Sequence, residues 1–287
     1  MSNKSSLPKE YELLDSGNLQ KLERFGSKIL LRPSKTAVWK PNLSISEWNK
    51  ADGQFMPLKG WRFNKEPFET WTMNLPKDIK LSLNLQINGQ IGFFPEHHIY
   101  LSSVATEIER LKNKIGAAPR VLNLFAYTGM ASCFCAKHLA ETTHVELSKR
   151  CLTWARENFE LNRLPEKSIR TIQDDALYFI QKEAQKNHKY EIIIADPPNF
   201  SRISKTKEWN LEKILPRMIE TLAKLVNPQG YAIFLTTHMT QTAPQVFSNL
   251  FDDYLDKGYD LKTEFLLINE HNTKRSMPYG HLTYISK

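Results

Sequence analysis

The sequence is poor in cysteine and has no long apolar run. Its 287 residues include three cysteines, and the pair Cys133 and Cys135 gives neither a disulfide framework nor zinc-ligand spacing. No apolar run approaches the roughly 20 residues that cross a bilayer, and the N-terminal stretch MSNKSSLPKEYELL has no apolar signal core. We therefore expect a soluble, cytoplasmic protein with reduced thiols, no metal site and no membrane association.

Glycine is also scarce, with 11 in the chain, and the dinucleotide-binding pattern G-x-G-x-x-G is absent. That absence argues against a nicotinamide or flavin enzyme. What is present is a 41% hydrophobic composition and a formal net charge of +8. The composition indicates an ordinary globular protein, and the charge makes a polyanion such as RNA a plausible partner.

The pattern of the chain changes near residue 105. Upstream, short β-prone pieces broken by Pro, Gly, Asn and Asp predict a β-rich module over residues 1–104. Four of the six tryptophans lie there, and we interpret them as core residues rather than base-stacking platforms. Leu81, Leu83 and Leu85 alternate with polar residues before Asn88-Gly89, which predicts a hairpin with a type I′ turn.

Downstream, residues 105–287 alternate apolar strands with helices, and near-continuous apolar strands of this kind are typical of a parallel sheet covered on both faces. Pro216 lies inside the helix predicted from NLEKILPRMIETLAKLV and should kink it or delay its start. The predicted strands, in chain order, are RVLNLFA, THVELS, IRTIQ, YEIIIAD, GYAIFLTTH, YDLKTEFLLI and GHLTYIS.

Polar residues at strand ends are the candidate site, because an open α/β sheet binds ligands outside the carboxyl ends of its strands. Gly129 opens a helix after the first strand, where a backbone can approach a ligand closely. Glu146 ends the second strand and could accept hydrogen bonds from both ribose hydroxyls, or could cap the next helix. Of Asp174 and Asp175, one could cap a helix and the other accept from an exocyclic amine. Acids after both the second and the third predicted strand favour an adenosine ligand over a phosphate ligand.

The fourth strand ends in Asp196-Pro197-Pro198, with Phe200 just beyond. Asp196 and the carbonyl of Pro197 could hold an amine that needs acceptors, while the prolines fix the backbone. Phe200 could stack on a flat ring. The alternative is a rigid strand-to-loop turn with a buried phenylalanine.

These residues together resemble the class I S-adenosylmethionine-dependent methyltransferases, in the branch related to bacterial 23S ribosomal RNA methyltransferases. The resemblance is carried by VLNLFAYTGMAS, HVELSKRCLTWARENFELN, DDALYFI and ADPPNFSRISK, with LLDSGNLQKLERFG and GFFPEHH upstream. It implies a Rossmann-like seven-stranded sheet whose last strand inserts antiparallel beside GYAIFLTTH, with S-adenosyl-L-methionine as the cofactor.

The resemblance also implies site roles. Glu146 would hold the ribose, and Asp196 and Pro197 would lie next to the methyl group, with Phe200 holding the substrate. The residues it places at the cofactor are Phe94, His97, Phe125, Ala126, Tyr127, Thr128, Gly129, Glu146, Leu147, Asp175, Ala176 and Asp196. Two departures are that the first loop has only one glycine, and that His97 stands where relatives have glutamine.

Transfer to a nitrogen is the favoured reaction, because the covalent route to a pyrimidine carbon needs a reactive cysteine near strand four or five and none is there. Asp196 would then be the hydrogen-bond acceptor and His238 a weaker candidate base. The residues expected to contact the substrate, with the basic ones forming a phosphate-binding rim, are Asn199, Arg202, Lys205, Lys274 and Arg275.

The sequence thus predicts a methyltransferase acting on RNA, with ribosomal RNA favoured. Two alternatives remain open: a methyltransferase for a small molecule or protein side chain, and a non-catalytic RNA-binding protein with a degenerate domain. Retention of Glu146, Asp175 and Asp196 argues against the last. Nothing in the sequence predicts the oligomeric state.

Overall fold

The computed structural model describes residues 10–202 and 208–287, with only the backbone described at Ser201 and Arg202. The chain divides into two compact units. The first is Met1–Tyr100 with Leu267–Pro278, and the second is Leu101–Leu266 with Tyr279–Lys287. The sequence-based domain boundary between residues 104 and 105 stays a prediction.

The first unit is rich in β-strands. Its elements in chain order are β1 Tyr11–Gly17, β2 Gln20–Phe25, β3 Lys28–Pro33, α1 Ile45–Trp48, β4 Gly53–Met56, β5 Gly60–Phe63, β6 Thr70–Leu75 and β7 Ile79–Asn84, and the helix α2 Pro95–Ile115 begins in it. Strands β1 to β5 form one sheet in sequence order, and β6 pairs with β7. Leu13, Leu22, Phe25 and Leu30 are buried in this unit, which confirms a β-rich module.

The predicted hairpin is partly wrong. Strand β7 contains Leu81 and Leu83 but ends before Leu85. Its partner is β6, which precedes it, and the connection includes Lys77 and Asp78, both at positive φ. The turn at Asn88-Gly89 exists, but the Gly89 amide donates to Gln86. A type I′ turn centred on Asn88-Gly89 would instead close one residue later. Lys77 and Asp78, both at positive φ, lie in the short connection that joins β7 to the preceding strand β6.

The second unit alternates strands and helices as predicted. Its elements are β8 Arg120–Leu124, α3 Met130–Lys137, β9 Glu141–Glu146, α4 Lys149–Leu161, a 3₁₀ turn Glu166–Ser168, β10 Ile169–Gln173, α5 Ala176–Gln185, β11 Ile192–Ala195, β12 Phe200–Arg202, β13 Glu208–Asn210, α6 Leu211–Leu225, β14 Ala232–Thr237, α7 Pro244–Asp252, β15 Asp260–Asn269 and β16 Ser276–Ser286.

Seven of the described strands form one mixed sheet in the order β10-β9-β8-β11-β14-β16-β15. Strands β10, β9, β8, β11 and β14 run parallel to one another. Strand β16 runs antiparallel to β14. The expected insertion of GHLTYIS beside GYAIFLTTH is thereby confirmed. The strand order reverses between β8 and β11, which is where such sheets bind ligands.

Alternate residues of the strands face different helices, because side chains alternate across a sheet. Leu122 and Leu124 belong to the core cluster that includes Phe179 of α5 and Ile219 of α6. Asn123 lies between them and its side chain bonds to Ser132 of α3 instead. The sheet is therefore covered on both faces, as the sequence predicts.

Two local features differ from the sequence-based expectation. Helix α6 begins at Leu211, with the Asn210 side chain accepting from the Lys213 amide, so a start delayed by Pro216 is wrong. Helix α7 and the short β12–β13 hairpin are additional elements that the sequence did not predict. No helix among the described residues is long and apolar enough to span a membrane.

Candidate active site

Backbone register gathers four strand ends at one edge of the sheet. Leu124 at the end of β8 pairs with Val145 on one side and with Ala195 on the other, and Ala195 also pairs with Leu235. The next residues along the four strands therefore lie side by side at the switch point. These residues are Phe125, Glu146, Asp196 and Thr236.

The loop between β8 and α3 has an unusual backbone. Phe125 and Tyr127 have φ of 55° and 51°, and Gly129 has φ of 87°. Non-glycine residues in this left-handed region cost about 1–2 kcal/mol each, and such residues concentrate at functional sites. Ala126 and Thr128 are buried, so the loop presents mainly the half-buried Phe125 and Tyr127. This is the loop expected at the methionine part of the cofactor.

Gly129 is required by both conformation and space. A Cβ built on it would lie 2.6 Å from the Phe159 ring, in addition to the unfavourable φ. We expect Gly129→Ala to lower the free energy of unfolding by about 1–3 kcal/mol more than Gly116→Ala. Gly116 is the matched control because its φ is also positive, at 70°, with nothing within 4 Å of a Cβ. Urea denaturation of both variants measures the difference, and equal losses would contradict the steric account.

Glu146 ends β9 with both carboxylate oxygens engaged. Oε2 accepts from the Tyr127 amide at 3.0 Å and Oε1 from the Ser148 amide at 2.7 Å. Burial raises the pKa of Glu146, although the backbone hydrogen bonds from Ser148 and Tyr127 oppose the shift. Helix α4 is capped by the Ser148 side chain, so the capping alternative for Glu146 is wrong. The carboxylate instead ties the Phe125–Gly129 loop to the end of β9, and Leu147 beside it is 45% exposed.

The structure shows which of the two acids before α5 caps that helix, which the sequence left open. Asp175 is the helix cap, since its side chain accepts from the Tyr178 amide at 3.0 Å. Asp174 accepts from the Asp175 amide and lies 3.5 Å from the Lys182 ammonium. Ala176 is buried. Contacts of Asp175 and Ala176 with an adenine stay a prediction.

The Asp196 side chain contacts two residues in and just after β14. Thr236 donates its hydroxyl to Asp196 Oδ1, and His238 Nε2 lies 3.2 Å from the same oxygen. His238 Nδ1 lies 3.0 Å from the Tyr279 carbonyl, which can only accept, so Nδ1 carries a hydrogen. Thr236 and His238 therefore both contact the same carboxylate oxygen of Asp196.

The residues after Asp196 are fixed by side-chain hydrogen bonds. Pro197 is buried, and the Pro198 carbonyl accepts from the indole of Trp209, whose ring also packs edge-on against Phe125. The Asn199 side chain donates to the His238 carbonyl at 2.9 Å. Phe200 is 58% exposed, so the alternative of a buried phenylalanine is wrong.

The remaining predicted residues do not all lie in the described part of the second unit. Phe94, His97, Lys274 and Arg275 belong to the first unit, where Lys274 is exposed and Arg275 donates to the Lys40 carbonyl. Lys205 and the Arg202 side chain lie outside the described residues. The cofactor contacts predicted for Phe94 and His97, and the substrate contacts predicted for the four basic residues, stay predictions.

Beneath the site lies a polar network that the sequence did not reveal. Asn123 Nδ2 donates to Ser132 Oγ at 2.8 Å, and Ser132 Oγ lies 2.9 Å from His144 Nδ1. His144 Nε2 makes no hydrogen bond to any residue the structure describes, and its ring stands edge-on to Phe159. The network joins β8, α3 and β9 below the loop. A histidine within an apolar strand was the available signal.

Burial lowers the pKa of His144 from 6.5 to about 3. Between these values the unfolded chain binds a proton that the folded chain does not, so stability falls as the pH falls, by up to about 1.4 kcal/mol per pH unit. We expect His144→Asn to flatten the loss of stability between pH 6.5 and pH 4 relative to its own value at pH 8. Urea titrations at these pH values test this, and an unchanged acid slope would contradict it.

All three cysteines are unsuited to covalent catalysis. Burial raises the pKa of Cys133 to about 12, and it also raises the pKa of Cys135 and Cys151. A thiol in this state carries little nucleophilic thiolate at neutral pH. These raised pKa values agree with the expectation that no cysteine is activated, which stays a prediction.

Comparison with known proteins agrees with this geometry. A family model for S-adenosylmethionine-dependent methyltransferases matches residues 14–243. A crystal structure of a SAM-dependent methyltransferase from Agrobacterium tumefaciens has a TM-score of 0.90 and 31% identity, covering 96% of this chain and 90% of that one.

Curated relatives also match in sequence. Ribosomal RNA large subunit methyltransferase K/L of Shewanella frigidimarina is 36% identical over 157 residues, which is 54% of this chain and 21% of the relative. The protein of the same name from Shewanella baltica is 32% identical over 216 residues, 74% of this chain and 28% of the relative. The chain thus spans about a quarter of the length of these relatives.

The family match covers most of the chain, and the switch-point edge carries the acids and the Asp-Pro-Pro turn that the family resemblance predicted. The chain belongs to the S-adenosylmethionine-dependent methyltransferases.

Proposed function

We propose that this enzyme transfers a methyl group to a nitrogen of an RNA base, with ribosomal RNA as the natural substrate. The observation that carries the proposal is Asp196, followed by two prolines and bonded to Thr236 and His238 at the switch point. A carboxylate held in this way accepts hydrogens from an amine in a fixed orientation. Orientation is the main requirement of an in-line displacement.

Residues of the second unit fit the methyl donor. Glu146 lies at the end of β9, where an acid can accept from ribose hydroxyls, and its hydrogen bond to the Tyr127 amide fixes the adjoining loop. Phe125 and Tyr127 line that loop at positive φ. Asp175 opens α5 one strand further along the sheet edge. These residues are our proposed cofactor site, with Phe94 and His97 of the first unit as further candidates.

When bound, the donor would supply a methyl group on a positively charged sulfur, which leaves as a neutral thioether as the carbon–sulfur bond breaks. Asp196 and the Pro197 carbonyl would orient the acceptor nitrogen, and Asp196 would take up the proton that this nitrogen loses as its bond to carbon forms. His238 and Thr236 would hold the carboxylate in place. His238 is thus proposed as a positioning residue, with Asp196 as the proton acceptor.

Several features support RNA as the acceptor. Relatives that share 32–36% identity are named as ribosomal RNA methyltransferases, and the net charge of +8 suits a polyanion. Phe200 is 58% exposed beside Asp196 and offers a stacking surface for a base. The basic residues Arg202, Lys205, Lys274 and Arg275 are proposed to contact phosphates, and a cytoplasmic location follows from a ribosomal substrate.

A transfer assay tests the substrate class. Purified enzyme with tritium-labelled donor would be offered total RNA from cells lacking this enzyme, a small-molecule extract and a protein extract. We expect label in the RNA alone. Label in either other extract would refute the RNA proposal, and salt-dependent RNA binding without transfer would favour the non-catalytic alternative.

A further inference from the structure

A cavity of about 310 Å³ lies at the opposite edge of the main sheet from Asp196. It is lined at the amino ends of β8, β9 and β10 by Arg120, Thr142 and Arg170, with Lys167 in the preceding 3₁₀ turn. A five-residue strand such as β8 is roughly 16 Å long at about 3.3 Å per residue. A ligand in this cavity would therefore be remote from the reacting atoms.

Three side chains at this cavity have hydrogen-bond donors that no described residue accepts. Lys167 and Arg170 are exposed, and neither side chain makes a hydrogen bond or ion pair with another described residue, although the charge of Arg170 acts on Glu183. The Thr142 side chain is buried, with the residue 3% exposed, and its hydroxyl oxygen has no partner within residues 10–202 and 208–287. A buried hydroxyl without a partner is costly, so this one indicates a ligand or ordered solvent.

Two of the other charged groups around the cavity have side-chain partners. Arg120 forms a two-pronged ion pair with Glu191. Glu183 accepts from the Tyr190 hydroxyl at 2.7 Å and from His188 Nδ1 at 2.9 Å. Burial raises the pKa of Glu183, but these two hydrogen bonds and the charge interactions with His188 and Arg170 outweigh it, so the pKa lies below its usual value.

Two further charges complete the rim. Glu141 is exposed, and Lys189 donates to the Lys224 carbonyl, which leaves its positive charge uncompensated. The cations Lys167, Arg170 and Lys189 therefore outnumber the two remaining acids, Glu141 and Glu183. A cavity with excess positive charge, a guanidinium and a buried hydroxyl donor suits an oxyanion that accepts several hydrogen bonds.

From this arrangement we infer that the cavity binds a phosphate group, held by Lys167, Arg170 and the Thr142 hydroxyl. The phosphate could come from a small molecule or from the backbone of an RNA strand. A backbone phosphate here would anchor RNA at a second point, remote from the methylated base. The inference does not depend on the reaction proposed above, because none of these residues belongs to that site.

The test uses the full-length chain and two probes. Isothermal titration calorimetry measures the Kd of inorganic phosphate, and fluorescence anisotropy measures the Kd of a labelled single-stranded RNA. Thr142→Val keeps the shape but removes the hydroxyl, and the double variant Lys167→Gln, Arg170→Gln removes two charges. The matched control, Lys213→Gln with Lys257→Gln, removes two exposed charges away from the cavity.

We expect both cavity variants to raise a Kd by about tenfold, with the control within about twofold of wild type. If the cavity variants raise the Kd of both inorganic phosphate and RNA, the site binds small phosphates and can also accept an RNA phosphate. If they raise the Kd of RNA alone, the site binds the RNA backbone. If neither probe binds, or if the control weakens binding as much as the cavity variants, the inference is wrong. Equal melting temperatures of all variants exclude misfolding.

Discussion

Asp196→Asn should lower kcat for methyl transfer to RNA by about 100- to 1,000-fold, the usual effect of removing one pre-oriented polar group from a reaction centre. Asparagine keeps the shape and can still accept at its carbonyl oxygen, but its amide cannot take up the proton that the target nitrogen loses. It also replaces the carboxylate that His238 Nε2 contacts at 3.2 Å with a neutral amide.

The measurement is single-turnover transfer of a labelled methyl group, alongside calorimetry of donor binding. Because Asp196 is proposed to act on the acceptor nitrogen, we expect the Kd of S-adenosylmethionine to change by less than about threefold. Asp253→Asn is the matched control, since Asp253 is an exposed acid at the end of α7. A variant that retains wild-type kcat would remove Asp196 from the mechanism.

Glu146→Gln should weaken donor binding by about 10- to 100-fold, since hydrogen bonds to a charged group contribute about 1.5–3 kcal/mol each. Two effects act together. The neutral amide is a poorer acceptor for ribose hydroxyls, and it cannot accept from both the Tyr127 and Ser148 amides as the carboxylate does. Calorimetry with S-adenosylmethionine measures the loss.

Glu160→Gln provides the comparison, because Glu160 is an exposed acid on α4. Its donor Kd should equal that of the wild type. If Glu146→Gln also binds the donor with unaltered affinity while melting at the same temperature, Glu146 is not a ribose ligand.

Much of the second unit could be predicted from local sequence. Strands such as Ile192–Ala195 are continuous apolar runs, and the helices carry apolar residues at helical spacing, so both the periodicity and the parallel sheet followed directly. The candidate site residues were found because each follows a strand end. Register then placed Glu146 and Asp196 on either side of the loop at Phe125.

What the sequence could not predict depends on pairing between distant segments. Strand β7 pairs with the segment before it because Lys77 and Asp78 adopt positive φ, and only glycine or asparagine signals that conformation clearly. The sequence did not indicate that Thr236 would bond to Asp196, because a threonine is common in an apolar strand. Its bond to Asp196 arises from neighbouring positions on β11 and β14.

The sequence also could not show which of Asp174 and Asp175 caps α5. Both are acids before a helix, and either can cap it. The backbone determines that Asp175 accepts from the Tyr178 amide. The carboxylate geometry therefore had to come from the structure.

The central claim is that this enzyme methylates a base nitrogen positioned by Asp196. Its most direct test is mass spectrometry of nucleosides from RNA incubated with the enzyme and an isotopically labelled donor. The account predicts one labelled nucleoside, with the methyl group on a base nitrogen, which disappears with Asp196→Asn and persists with Asp253→Asn. A label on a base carbon or on the ribose would contradict it.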